Sequence, residues 1–379
     1  MPVTFRLELD PLRPYVPPKS WRMAAEGKDD NAYAKLTSNE LAFGPLPEAE
    51  AALAEALPRA NRYPDSHVSR LRRAIADANV GSEPRNVLVG NGSSEVLMNA
   101  LQLLPRGGEV VFPWPSFSLY PMLCAVLGMT AHPVALTGGH EIPAEALLSA
   151  VTGETRAVIL CNPNNPTGTY LSLGAVRDLA AALPDDVLLI LDEAYIEFVE
   201  DTSYRGSHTL ALERENVVVA RTFSKAHGLA GFRAGYGIAS ERIADYAERV
   251  RFPVSVNLAA QVAATASMLA RDKVRARAEF VIRERKRLQQ AFHSANLAYI
   301  PSQGNFIMVR FEADAFERAG ILVREGAALG YRGWSRVTVG NSEENERVIL
   351  AVESPYGAVE QGAEQGAEQG AEQGAERSA

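Results

Sequence analysis

NVVVARTFSKAHGLAGFRAGY, residues 216–236, opens as an unbroken apolar run and closes on two hydroxyls, a primary amine and a guanidinium. A run without polar alternation leaves no face for water, so Asn216 to Ala220 reads as a strand buried on both sides. Thr222, Ser224, Lys225 and Arg233 then follow its carboxyl end. Four similar runs lie upstream: NVLV (86–89), EVVF (109–112), AVILC (157–161) and VLLIL (187–191), separated by longer amphipathic stretches. Such alternation is the pattern of a mostly parallel sheet covered by helices on both faces. The runs end in GNGSSE, PWPSFSLY, NPNNPTG, DEAY and RTFSK. In open α/β sheets ligands sit beyond the carboxyl ends of the strands, so five such ends point to one crevice.

The chain has 379 residues, more than one core usually serves. We expect an N-terminal arm (1–45) belonging with a smaller α/β domain (263–357), a large ligand-binding domain (46–262), and a disordered tail (358–379). From Asn257, a proline-free stretch to residue 295 reads as one or two long helices, followed by NFIMVRF, GILVRE, SRVTVG and a helix opened by Asn341 or Ser342. The tail repeats EQGA, with too little apolar surface to offset its ordering entropy.

Net charge is -8, and the tail's five Glu and one Arg account for half of it. That balance argues against a nucleic-acid partner. Neither a secretory h-region nor an apolar run of membrane-spanning length is present, so no membrane partner and a cytoplasmic location are expected. Cys124, Cys161 and the six histidines lack metal-ligand spacing, and both cysteines read as small core residues.

Lys225 decides the chemistry. A lysine desolvated at the end of a buried strand and set near other cations loses its proton readily and becomes a carbonyl-seeking amine. Schiff-base chemistry is its natural use, and pyridoxal phosphate is the electron sink that suits it. That cofactor requires a carboxylate to keep its pyridine nitrogen protonated. Asp192, delivered by VLLIL, suits the role, although a turn or capping aspartate reads the same way. Tyr195 and Asn165 are available to the ring's phenolic oxygen; an asparagine in NPNNPTG also reads as a turn former. For the phosphate, the turn GNGSSE runs into a helix and aims the amides of Ser93 and Ser94 at an anion. The hydroxyls of Thr222 and Ser224 and the fork of Arg233 would enclose it from other sides.

These motifs, in order SNELAFGPLP, NRYPD, VGNGSSE, PSFSLY, CNPNNPTG, LDEAY, RTFSKAHGLAGFRAGY and SRVTVG, resemble the histidinol-phosphate aminotransferase group of the fold-type I pyridoxal-phosphate aminotransferases, from about Tyr15 to about residue 352. The resemblance implies a large domain with a mostly parallel seven-stranded sheet between helices. It implies that Lys225 binds the cofactor aldehyde, Asp192 pairs with the pyridinium, and Tyr195 and Asn165 bond the phenolic oxygen. Phe117 would stack on the ring, where relatives often carry tyrosine. Tyr63 would reach the cofactor phosphate of a neighbouring subunit, making a homodimer with shared sites the working unit. Arg336 and Asn39 are implied at the substrate α-carboxylate, and Arg324, helped by Tyr15, at the substrate's own phosphate.

The implied reaction is ping-pong transamination of L-histidinol phosphate with 2-oxoglutarate, giving imidazole acetol phosphate and glutamate. Two departures are visible: NELAFGP stands where many such enzymes read NENP, and GNGSSE where they read GNGSDE. The patterns SNExxFGPLP and WxSFxLYP also resemble aromatic amino-acid aminotransferases, which is the alternative. A phosphate-directed decarboxylase and a catalytically silent binding module are the further readings.

Overall fold

The computed structural model describes residues 33–353 throughout and, of the preceding segment, residues 3, 5–10, 12, 14, 16–19 and 23. Tyr15 and the repeat at 358–379 lie outside the described residues. Among the described residues there are twelve strands: β1 (Ala34–Leu36), β2 (Val87–Gly90), β3 (Glu109–Trp114), β4 (Thr130–Ala135), β5 (Thr155–Cys161), β6 (Leu188–Asp192), β7 (Val217–Thr222), β8 (Gly235–Ala239), β9 (Tyr299–Ile300), β10 (Phe306–Val309), β11 (Ile321–Glu325) and β12 (Ser335–Thr338).

Seven of them form a sheet in the order β2-β8-β7-β6-β5-β3-β4, parallel except at β8, which runs antiparallel to both neighbours. The central strands β6 and β7 are buried along their whole length, as their apolar runs require. Their side chains alternate between two apolar layers. Leu189, Leu191, Val217 and Val219 belong to one layer, and Ile190, Val218 and Ala220 to the other, where Val96, Leu97 and Tyr120 also pack. Continuing that period of two, Asp192 and Thr222 leave the sheet on the side of Tyr120, and Glu193 and Arg221 on the opposite side.

Both strands extend past their apolar letters. Asp192 still pairs with Cys161 of β5 and Ala220 of β7, while Arg221 and Thr222 pair with Tyr236 and Gly235 of β8. The polar ends are thus held by the sheet ladder and not by loops. Arg221 is fixed on its own side by Nε donating to Glu193 at 2.9 Å, with further bonds to Asn79 and Ser207.

The strands β4 and β8 do not appear among the apolar runs, each for a physical reason. Strand β4 is a partly exposed edge that tolerates Pro133. In β8, GYGIA places Gly235 and Gly237 beneath the helix Ser93–Gln102: a Cβ on Gly235 would stand 2.1 Å from the Ser93 nitrogen, and one on Gly237 2.9 Å from Val96. Side chains that would signal a strand are excluded there by the helix that must lie on it.

The second sheet has the order β1-β11-β12-β10-β9, with β1 parallel to β11. The long stretch after Asn257 is two helices, Leu258–Leu269 and Arg271–Ser294; Asn257 caps the first by accepting from the Ala260 amide at 2.8 Å. Asn341 and Glu344 form a reciprocal capping box for the helix Ser342–Glu353. Among the described residues no helix is long and apolar enough to cross a membrane.

Replacing Arg221 by methionine would leave the Glu193 carboxylate buried without its partner. Loss of one partner of a buried pair costs about 3–5 kcal/mol. Urea denaturation should show a loss of that size, and an unchanged midpoint would contradict the role given to this pair.

Candidate active site

Lys225 lies three residues beyond the end of β7, partly buried. Its Nζ donates to the Ser38 carbonyl at 3.2 Å and stands 5.7 Å from the centroid of the Tyr195 ring. Burial, seconded by the positive charges of Arg336 and Arg233, brings its pKa down to about 8. A sizeable fraction of this amine is therefore neutral near physiological pH, which a nucleophile requires.

Asp192 ends β6 and is 2 % exposed. Its Oδ2 accepts from the Tyr120 hydroxyl at 2.8 Å, while Oδ1 is buried with no partner among the described residues. Burial raises the pKa to about 6; the hydrogen bonds from Tyr120 and from the Ala194 amide, and the charge of Lys225, oppose the rise. Tyr195 is buried, and burial holds its hydroxyl well above the ordinary phenol range, so it stays protonated. That hydroxyl accepts from Asn39 Nδ2 at 3.0 Å.

Asn39 has φ of 53° and is locked from several sides: its amide donates to Thr338 Oγ1 at 2.9 Å, and its carbonyl accepts from Asn305 at 3.0 Å. Asn165 is buried, and its Oδ1 accepts from Arg336 Nη1 at 2.6 Å. The other arm of that guanidinium donates to the Thr37 carbonyl at 2.9 Å. Across the β11–β12 ladder Arg324 is the direct partner of Arg336, so two guanidinium stems project from the same face of the smaller sheet.

A second cluster surrounds the start of the helix Ser93–Gln102. Thr222 Oγ1 donates to Ser224 Oγ at 3.0 Å, and Arg233 Nη1 reaches the same Ser224 oxygen at 3.3 Å. Arg233 adopts φ of 59°, a left-handed conformation that costs a non-glycine residue about 1–3 kcal/mol. Gly92, the N-cap, has φ of 79°, and a Cβ there would lie 2.5 Å from Arg233 Nη2. Hydroxyls, guanidinium and the amides of Ser93 and Ser94 thus converge on a concavity that only glycine leaves open, a fitting cradle for an anion.

Phe117 is half-buried beside the first cluster, its ring 5.7 Å from that of Tyr120 in an edge-to-face contact. Tyr63 is 89 % exposed. The structure therefore brings together Lys225, Asp192, Tyr195, Asn39, Asn165 and Arg336, and separately Ser93, Ser94, Thr222, Ser224 and Arg233. Sequence reasoning missed Tyr120 and the carbonyls of Thr37 and Ser38. For Tyr120 a signal existed in PSFSLY, where a hydroxyl stands three residues after Phe117; backbone carbonyls carry no letter of their own. Among the described residues no group of three or more His, Cys, Asp or Glu is arranged to hold a metal ion.

Residues 32–352 match the family described as aminotransferase class I and II. The chain is 69 % identical over 348 residues to a histidinol-phosphate aminotransferase of Rubrobacter xylanophilus, covering 92 % of this chain and 99 % of the relative. It is 39 % identical to an aromatic amino acid aminotransferase of Cutibacterium acnes, over 84 % of this chain and 91 % of that one. Among solved structures, the histidinol-phosphate aminotransferase of Sinorhizobium meliloti in complex with pyridoxal-5'-phosphate superposes with a TM-score of 0.81 at 28 % identity, covering 92 % of this chain and 96 % of that one. With its seven-stranded sheet, its paired clusters and these relatives, the chain belongs to the class I and II aminotransferases.

Proposed function

We propose that the protein is a pyridoxal-phosphate-dependent transaminase that exchanges an amino group between L-histidinol phosphate and 2-oxoglutarate, releasing imidazole acetol phosphate and glutamate. The observation that carries this reading is the convergence of a lysine with its pKa brought down to about 8 and a buried carboxylate with one oxygen unpartnered, beside an open anion cradle. The residues fit the cofactor: Ser93, Ser94, Thr222, Ser224 and Arg233 would hold its phosphate, Asp192 its ring nitrogen, Tyr195 and Asn165 its phenolic oxygen, and Phe117 one face of its ring. When bound, that group supplies an aldehyde that bonds to primary amines and a ring that takes up the electron pair released at the substrate α-carbon.

The chain's own groups do the rest. Lys225 Nζ serves as nucleophile and afterwards as the base that takes the α-proton, for which a pKa near the working pH is suited. Asp192 keeps a proton on the ring nitrogen by offering a fixed negative charge in a dry site. Arg336 would clamp the substrate α-carboxylate, and Arg324, beside it across the strand pair, would meet a phosphate in one half-reaction and a side-chain carboxylate in the other. Asn39 belongs with this clamp, and Tyr15 would add to it.

The 69 % identity to the Rubrobacter enzyme favours histidinol phosphate as the donor. The likeness to the Cutibacterium aromatic enzyme supports the second reading, transfer from phenylalanine. The strong exposure of Tyr63 supports its use at the site of a neighbouring subunit in a homodimer. Residues 46–262 would carry the cofactor and 263–357, with the arm 1–45, the clamp, in a cytoplasmic enzyme.

A panel of amino donors, followed through half-reaction spectra, should show at least a tenfold preference in kcat/KM for histidinol phosphate over phenylalanine, about 1.4 kcal/mol or more; the reverse order would assign the aromatic reading. Lys225→Ala should retain cofactor through its phosphate yet show no turnover, and appreciable turnover would remove Lys225 from the chemistry. For apoprotein taking up the cofactor, the reactive form is the neutral amine. The uptake rate should therefore fall with decreasing pH below about 8 and level off above it. A rate flat from pH 6 to 9 would contradict the assignment.

A further inference from the structure

Tyr120 belongs to the first turn of the helix Leu119–Leu127 and is fully buried. It stands three residues after Phe117, its amide donating to the Phe117 carbonyl at 3.1 Å, so a single local segment supplies both rings. Its ring is fixed on two sides, edge-on to Phe117 at 5.7 Å and tilted against Phe112 at 5.8 Å. The phenol therefore has little freedom, and its hydroxyl meets Asp192 Oδ2 at 2.8 Å.

The surroundings of Asp192 make this contact decisive. Cys161 is its direct neighbour across the β5–β6 ladder, but the Cys161 thiol donates to the Pro163 carbonyl at 3.4 Å, and burial pushes its pKa up to about 12. Glu193, next in the chain, turns to the other face of the sheet and pairs with Arg221. Lys225 acts on Asp192 through its charge and Ala194 through its backbone amide, while the Tyr195 oxygen accepts from Asn39. Tyr120 is thus the side chain that fixes which carboxylate oxygen faces inward, and Oδ1 is left as the unpartnered one.

We propose that Tyr120 is a positioning residue for the cofactor: its hydroxyl clamps Oδ2 of Asp192 from behind, so that Oδ1 stays ionised and aimed at the ring nitrogen. The physical basis is the cost of a buried carboxylate. With one oxygen hydrogen-bonded, the group resists protonation and rotation about its terminal torsion; with neither, it takes up a proton and turns freely. Consistently, the hydrogen bond from Tyr120 is foremost among the influences holding the Asp192 pKa down against burial. Without it, only the Ala194 amide and the charge of Lys225 would oppose burial, and the carboxyl would hold its proton to higher pH.

This inference rests on the cofactor reading, and one experiment separates the two. Apoprotein is titrated with pyridoxal phosphate and with its carbocyclic analogue, in which CH replaces the ring nitrogen, and the ratio of dissociation constants is taken. Wild type should prefer pyridoxal phosphate; if it binds both equally, the cofactor reading and the inference fall together. Tyr120→Phe, which removes one oxygen and keeps the ring, should reduce the preference by about ten- to a hundredfold, the effect of losing a hydrogen bond to a charged group. Affinity for the analogue should barely change, whereas mere structural damage would weaken both ligands alike. A Tyr120→Phe protein that keeps the wild-type ratio, or loses both affinities in proportion, overturns the proposal. Tyr120→His, which retains a ring N–H donor, covers the case in which the phenylalanine variant does not fold: a folded histidine variant should keep most of the preference, and its complete loss would contradict the clamp.

Discussion

The register between β6 and β7 is the constraint on which the rest depends. Two fully buried parallel strands, paired with Asp192 opposite Ala220, set every side chain beyond them by a period of two. Asp192 and Thr222 must then leave on one face, and Glu193 and Arg221 on the other. A slip of one residue in either strand would exchange these sets, burying the Arg221 guanidinium where an anion is to be held and turning Thr222 away from it. The buried Arg221–Glu193 pair opposes such a slip, because both partners are desolvated and they meet only in the observed register. Structural polar groups on one face thereby secure the chemical ones on the other.

Burial does a second job through electrostatics. Lys225 and Asp192 are shifted in opposite directions, the amine down and the carboxyl up, and for both the leading cause is desolvation. Lys225 is thus poised to exchange a proton near neutral pH, which lowers the cost of its burial, while Asp192, at about 6, stays largely ionised there. The guanidiniums of Arg336 and Arg233 add to the effect on the lysine, and a guanidinium is also the group suited to an anion. Arg336 would thus serve both the proposed substrate clamp and the tuning of the nucleophile.

Much of this was legible in the letters. Five apolar runs and the residues that end them gave the sheet, the crevice and the two titratable groups, because fully buried strands need continuous apolar sequence and their carboxyl ends need something to do. What escaped has physical reasons. Strand β8 hides because the helix Ser93–Gln102 lies so close that only glycine fits at 235 and 237, and glycine gives no strand signal. Strand β4 hides because an edge accepts proline and exposed side chains. The contacts of Lys225 with the Ser38 carbonyl and of Arg336 with the Thr37 carbonyl have no sequence signature. Tyr120 was present in a quoted motif, yet its meaning comes only from the helix that turns it toward a strand 72 residues away.

All of the proposed chemistry passes through one atom, Lys225 Nζ, as the amine that takes the cofactor aldehyde. Reduction of the cofactor-loaded protein with borohydride, proteolysis and mass spectrometry of the peptides tests it most directly. The phosphopyridoxyl group should be found on the peptide containing Lys225 and on no other lysine. Its appearance on a different lysine, or a loaded protein in which reduction fixes nothing, would contradict it.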